Sequence, residues 1–192
     1  MPVILLRFLM VILALASAAA AADLRYWVEP CTRPETKCLK DDPQLAEWAL
    51  KAWEAASGGT LKLEKTDRVE RAHIRVRWVD GRGGLYGQAE PVMVDGKRGA
   101  EVFVLPEVAA GADTLLRDAI VYLTCLHESG HALGLAHTAD FADIMYSFQY
   151  GGDIGEYFGR YRRKLSQRGD IARNAGMSER DQIRLRQVLS RE

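Results

Sequence analysis

The sequence predicts a single α/β domain, and three observations carry that expectation. Short alternating runs of apolar and polar residues interleave with two longer segments of helical periodicity. The 192 residues carry 26 Lys+Arg against 26 Asp+Glu with a hydrophobic share of 48%, which excludes a disordered chain and supplies one real core. No internal repeat, low-complexity linker or second domain is legible in the chain. The balanced charge also excludes a polyanion partner, so neither nucleic acid nor a strongly anionic membrane surface is expected.

The elements follow in order. Residues 1–22 read as a signal peptide: Arg7 supplies the positive end, Phe8 to Ala16 an apolar run, and Ser17 to Ala22 the small residues of a cleavage site. The apolar stretch from Phe8 to Ala22 is about 15 residues, short of the roughly 20 that span a bilayer, so no stable membrane anchor is expected after processing. The domain then occupies residues 23–192, in a secreted or periplasmic location, and a monomer is expected.

Leu24 to Val28 (LRYWV) reads as a first strand. Asp42 as N-cap and Pro43 at the first helical position open a helix through Leu45, Trp48, Ala49, Ala52, Trp53 and Ala56, which Gly58-Gly59 ends; the tryptophans read as core. Leu61 and Leu63 alternate with lysines as a strand, and Ile74, Val76 and Trp78 form a half-buried one, with His73 out of phase on its solvent side. Residues 80–91 (DGRGGLYGQAEP) are a glycine-rich loop leading into an extended piece. Val92 to Val94 and Glu101 to Leu105 flank turn residues Asp95-Gly96-Lys97-Arg98. Asp113 or Thr114 caps a second helix, apolar at Leu115, Leu116, Ala119, Ile120, Leu123 and Leu126, which ends at Gly134. A loop region follows, and Ser178 with Asp181 resembles a capping box for a C-terminal helix carrying Ile183, Leu185, Val188 and Leu189.

An exported chain meets an oxidising compartment, so Cys31 and Cys38, around the turn-favouring Pro34, are a possible disulfide. The alternative for Cys31 is an inhibitory thiolate on a metal. Cys125 lies two residues before His127, rotated about 200° from it on a helix, and reads as a buried, unreactive thiol.

Three of the four histidines fall in HESGHALGLAH, residues 127–137. His127 and His131, four apart on a helix, project from one face at a separation that suits one zinc ion. Gly134 permits the left-handed turn that would bring His137 to the same ion. Three neutral histidines leave a fourth position for water, the layout of a catalytic rather than a structural zinc site. Glu128, displaced around the helix by about 100°, approaches that water without being a ligand, as a general base that later gives the proton to a leaving amine. The reaction so described is peptide hydrolysis without a covalent intermediate.

The extended spacing HExxHxxGxxH resembles the metzincin signature. FADIMY, residues 141–146, stands where metzincins place a methionine turn beneath the zinc, with Met145 as its methionine. HALGLAHTADFADIMY is most similar to the matrixin branch, the matrix-metalloproteinase-like peptidases. The resemblance implies an α+β metzincin-like fold: a twisted, mixed, mostly parallel sheet with an active-site helix, a backing helix and a C-terminal helix. It implies a peptide or protein substrate lying extended along an edge strand near Gly87 to Pro91. Gln88 and Val102 stand where matrixins usually have histidines for a structural zinc, so one catalytic zinc is expected, no second zinc, and calcium sites are in doubt. Thr138 and Ser147 also depart from the typical serine and proline.

Between the methionine turn and the last helix, Arg160, Arg162, Arg163, Lys164, Arg168 and Arg173 outnumber Glu156 and Asp170. This stretch reads as a solvated, mobile excursion, or else as a basic lid that selects acidic substrates. Tyr150, Tyr157, Phe158 and Tyr161 either line a pocket or anchor the segment. Rival functions are a metal- or protein-binding module without turnover, against which Glu128 speaks, and a narrow processing or cell-wall-peptide peptidase.

Overall fold

The computed structural model describes residues 22–81, 86–109, 111 and 113–191. The expected leader thus lies outside the described residues except for Ala22, which already opens the first strand.

Five strands form one sheet: β1 (Ala22–Val28), β2 (Leu61–Lys65), β3 (Ile74–Trp78), β4 (Gly87–Val94) and β5 (Lys97–Val104), in the order β2-β1-β3-β5-β4. β1 runs parallel to β2 and β3, β3 runs parallel to β5, and β4 pairs antiparallel with β5 at the edge. The sheet is mixed and mostly parallel. The β1–β2 crossover is α1 (Asp42–Ala56), as parallel neighbours require. The β4–β5 hairpin closes on Asp95 and Gly96, both at positive φ (51° and 77°), so the turn is two residues long and Lys97 and Arg98 belong to β5.

Alternation sends Leu24, Tyr26, Leu61, Leu63, Ile74, Val76, Trp78, Val102 and Val104 into one buried layer. Against it pack α1 and α2 (Thr114–Ala132), with Trp53 fully buried between them and its indole N–H donating to the Leu126 carbonyl at 2.8 Å. Asp42 is not the cap of α1. It is fully buried, accepts the Leu39 N–H at 2.7 Å and pairs through both oxygens with Arg117 of α2, tying the two helices by charge. The opposite face of the sheet is polar, with Arg75 and Arg77 converging on Glu101 at 2.9 and 2.5 Å.

Two further expectations need correction. His73 is not on the solvent side: it is 2% exposed, and its Nδ1 accepts the Arg25 N–H at 2.9 Å. It precedes β3 and follows a 3-10 turn at Val69–Arg71, so the parity of the strand does not extend to it. Second, residues 148–176 are folded rather than a solvated excursion. They contain α3 (Ile154–Arg162) and a 3-10 turn at Arg168–Arg173, before α4 (Glu179–Leu189). Tyr157, Phe158, Tyr161, Leu165 and Ile171 are buried in the core. The basic residues are used as ties: Arg162 to Asp113, Arg168 to Asp118 at 2.5 Å, Arg163 to Glu156, and Arg173 to Asp170. Arg160 lies 4.5 Å over the Tyr157 ring and 4.9 Å over Phe141. A lid reading its substrates by free positive charge is not what this segment builds. Among the described residues, no helix is long and apolar enough to cross a membrane.

Candidate metal centre and cleft

The site begins in the last turns of α2. Asp113 caps that helix, accepting the Leu116 N–H at 2.9 Å, and Gly134 at φ 91° ends it. Gly134 N–H bonds to the His131 carbonyl and Leu135 N–H to that of Gly130, the paired bonds of a Schellman stop. The chain then reverses. Thr138 N–H meets the Met145 carbonyl at 2.8 Å and Ser147 N–H the Thr138 carbonyl at 3.1 Å, so the loop 138–147 is clasped shut under the end of the helix.

This path brings three imidazoles together. His137 Nε2 is 3.2 Å from His127 Nε2 and 3.1 Å from His131 Nε2. A tetrahedral zinc held at about 2.0–2.1 Å needs its nitrogens about 3.3 Å apart, so the spacing fits. The tautomers fit as well. His127 Nδ1 donates to the Ile144 carbonyl at 2.7 Å and His131 Nδ1 to the Leu135 carbonyl at 2.8 Å, which leaves both neutral rings with an inward-facing Nε2 lone pair. Burial pushes His127 down to about 4 and also lowers His137, with neighbouring imidazoles adding to the effect, so both stay unprotonated near neutrality. The three residues form a group able to hold a metal ion.

Glu128 faces the other way, toward the edge of the sheet. It is buried, and burial pushes its carboxyl up to about 7. Gly87 is its neighbour: a Cβ there would lie 2.8 Å from Glu128 Cγ and 2.6 Å from Thr124 Cγ2, so only glycine lets β4 lie this close. The Val104 carbonyl bonds Val79 N–H on the far side of β5, and Leu105 N–H bonds the Tyr86 carbonyl. By that alternation the backbone groups of Gly87 and Ala89 point away from β5, to the open edge.

Met145 is fully buried against Gly130 of α2, where Trp53 of α1 also approaches the helix. The loop carrying it is fastened from α4. Asp181 of the capping box accepts the Ile144 N–H at 2.8 Å, while the fully buried Asp143 takes Arg184 at 2.5 Å and the Ser178 hydroxyl at 2.6 Å. These bonds hold the Asp143 carboxyl below its ordinary range despite burial. The sequence exposes Ser178 and Asp181 as a helix start, but their second task, like the roles of Asp143, Arg184, Gly87 and Gly130, depends on contacts distant in the chain.

Between these parts runs a cavity of about 490 Å³ with the triad and Glu128 at one end and Leu123, Tyr146, Phe148, Tyr157 and Phe158 along its wall. Tyr157 and Phe158 thus both line the cavity and anchor α3, Tyr161 anchors only, and Tyr150 is exposed. Cys31 and Cys38 stand together with Cα atoms 5.3 Å apart, a separation that suits a disulfide. Asp42, near them, is committed to Arg117. Cys125 is buried, and burial raises its thiol pKa.

The matrixin family model matches residues 20–153, more than two thirds of the chain and all of the site up to the turn after Met145. The chain belongs to the matrixins, a family of zinc metallopeptidases. Among solved structures it is similar to archaemetzincin (amzA) from Methanopyrus kandleri, at 15% identity and a TM-score of 0.45, over 92% of this chain and 99% of that one. No curated protein sequence matches. The family match ends at Asp153, the cap of α3, so the folded segment from Ile154 onward lies beyond it.

Proposed function

We propose that this matrixin is an exported zinc endopeptidase in which His127, His131 and His137 hold one zinc ion and Glu128 is the general base. The observation that carries the reading is the convergence of three Nε2 atoms, two of them with the opposite ring nitrogen tied to a carbonyl, beside a buried carboxyl near neutrality. When bound, zinc supplies Lewis acidity, acidifying the attacking water and polarising the scissile carbonyl. The protein's own residues do the rest. Glu128, at about 7, is poised both to take the proton of the attacking water and to return it to the leaving amine. The open edge of β4 pairs with an extended peptide through Gly87 and Ala89, placing its backbone beside Glu128. Pro91 has no N–H to offer, so pairing beyond it uses its carbonyl alone. The aromatic wall of the cavity takes an apolar side chain of the substrate. Met145 supports the triad from below, and the protein acts as a monomer. Residues 1–22 direct export and are removed, and the oxidising compartment closes Cys31 and Cys38 as a disulfide.

The test is cleavage of a diverse peptide library by the zinc-loaded protein, read by mass spectrometry beside Glu128→Ala at matched zinc content. The native protein should cleave before apolar residues, and the variant should lose about 10²–10⁴-fold in kcat/KM. Equal behaviour of the two at full zinc occupancy would instead leave a metal-binding module without turnover.

A further inference from the structure

The Ile144 carbonyl accepts twice. His127 Nδ1 donates to it at 2.7 Å, and the Tyr157 hydroxyl reaches it at 3.2 Å while lying 3.1 Å from the preceding carbonyl of Asp143. A carbonyl oxygen has two lone pairs, so Ile144 accommodates His127 Nδ1–H together with a share of the single phenolic proton, which bifurcates between the Asp143 and Ile144 carbonyls. The phenol therefore spans two consecutive carbonyls of the loop that positions the first histidine. We propose that Tyr157 is a positioning residue for the metal centre, fixing His127 through the Ile144 carbonyl and so setting how tightly the triad holds its ion. The inference rests on the zinc reading above.

The hydroxyl is in a place where it has little freedom. Tyr157 is 4% exposed, and its ring packs edge-on against Phe141, Phe148 and Phe158 with centroids 5.2 to 5.5 Å away. The Arg160 guanidinium covers it at 4.5 Å. Burial raises its pKa, so the group remains the proton donor that the two carbonyls require. On the other side, Ile144 N–H is held by Asp181, so the Asp143–Ile144 backbone is gripped from α4 through its N–H and from α3 through its carbonyls. An outer partner of this kind matters because a histidine ligand's orientation follows the hydrogen bond made by its distal nitrogen. The contact also makes α3, which lies beyond the family match, a part of the metal centre rather than only a wall of the cleft.

The same helix supplies a control. Tyr161 is equally buried, one turn further on, and its hydroxyl donates to the Asn174 carbonyl at 2.6 Å, with no bond to the loop 138–147. Tyr157→Phe and Tyr161→Phe each remove a phenolic hydroxyl that donates to backbone carbonyl oxygen while keeping the ring. Zinc affinity is measured by competition with a chromophoric chelator, beside thermal unfolding of the metal-free proteins and the visible spectrum of the cobalt-loaded ones. Both variants should lose a similar amount of stability, whereas only Tyr157→Phe should bind zinc more weakly, by about tenfold, and shift the cobalt bands. Native affinity in Tyr157→Phe, or an equal loss in Tyr161→Phe, would overturn the proposal. His131→Ala in the same assay separates the two levels of the argument. If the native chain binds zinc no better than His131→Ala, the triad reading falls and takes this one with it. If His131→Ala alone loses the metal, the triad stands and only the role of Tyr157 is refuted.

Discussion

One wall of the cleft is backbone and the other is side chains. On the β4 side, main chain lies directly on Glu128 because Gly87 has no Cβ, and the register with β5 leaves Gly87 and Ala89 open at the edge. On the opposite side, the loop 138–147 has little regular structure of its own, and α3 and α4 fasten it through Tyr157, Ser178, Asp181 and Arg184. The difference teaches where each wall is vulnerable. The sheet wall tolerates changes that keep its register and its glycine. The loop wall depends on a few polar groups brought from up to 41 residues away, several of them buried.

The largest effect should come from the loop wall. Arg184→Ala strands the fully buried Asp143 carboxylate with only neutral hydroxyl partners, those of Ser178 and Thr138. Removing one member of such a pair should cost about 3 kcal/mol, read by urea unfolding of the metal-free protein. A cost below about 1 kcal/mol would show that the loop holds without its charge clasp and would erase the contrast between the walls.

A smaller effect is expected where the two walls share α2. Gly130→Ala drives a methyl group into Met145 and toward Trp53, whose ring carbon would lie 3.1 Å away. Overpacking of this kind should cost about 1–3 kcal/mol. Combined with Met145→Ala, the loss should be less than additive, because the truncated side chain makes room. Strict additivity in a double-mutant cycle would mean that Met145 does not press on the helix beneath the triad.

The smallest effect belongs to the sheet, at His73. Burial lowers its pKa below the usual 6.5, while the unfolded chain takes up a proton at about 6.5. Stability should therefore be flat in His73 above that pH and fall as pH drops toward the folded value, by at most about 1.4 kcal/mol per unit. The neighbouring charges are Arg25 and Lys97, which reinforce the shift, and Asp95, which opposes it. His73→Asn retains an acceptor for Arg25 N–H without titrating, and should remove this part of the acid slope below about pH 6.5. An unchanged slope would assign the acid sensitivity to the loop wall instead.

What was legible in the sequence divides along the same line. The zinc helix, its glycine stop and the third histidine lie within eleven residues, where spacing alone dictates geometry, and the structure brings the three imidazoles together. The edge hairpin was legible from Asp95-Gly96, although the turn proved tighter and the strands longer than the charged residues suggested. Asp42 reads as a cap because Asp before Pro usually is one; a buried partner 75 residues away outweighs that local preference. α3 is hidden from the sequence for a related reason. Its nine residues carry two glycines and two arginines, so propensity and charge both argue for an exposed loop, whereas Asp113, which pairs with Arg162, and Phe141, over which Arg160 lies, come from other parts of the chain.

The central claim is that one ion sits among three imidazoles with no sulfur at the site. Zinc K-edge X-ray absorption on stoichiometrically loaded protein tests it most directly. The account predicts one zinc per chain, three imidazole nitrogens at about 2.0–2.1 Å completed by light oxygen, and loss of that signature in His131→Ala. A sulfur shell near about 2.3 Å, placing the metal at Cys31 and Cys38, or a nitrogen shell that survives His131→Ala, would contradict it.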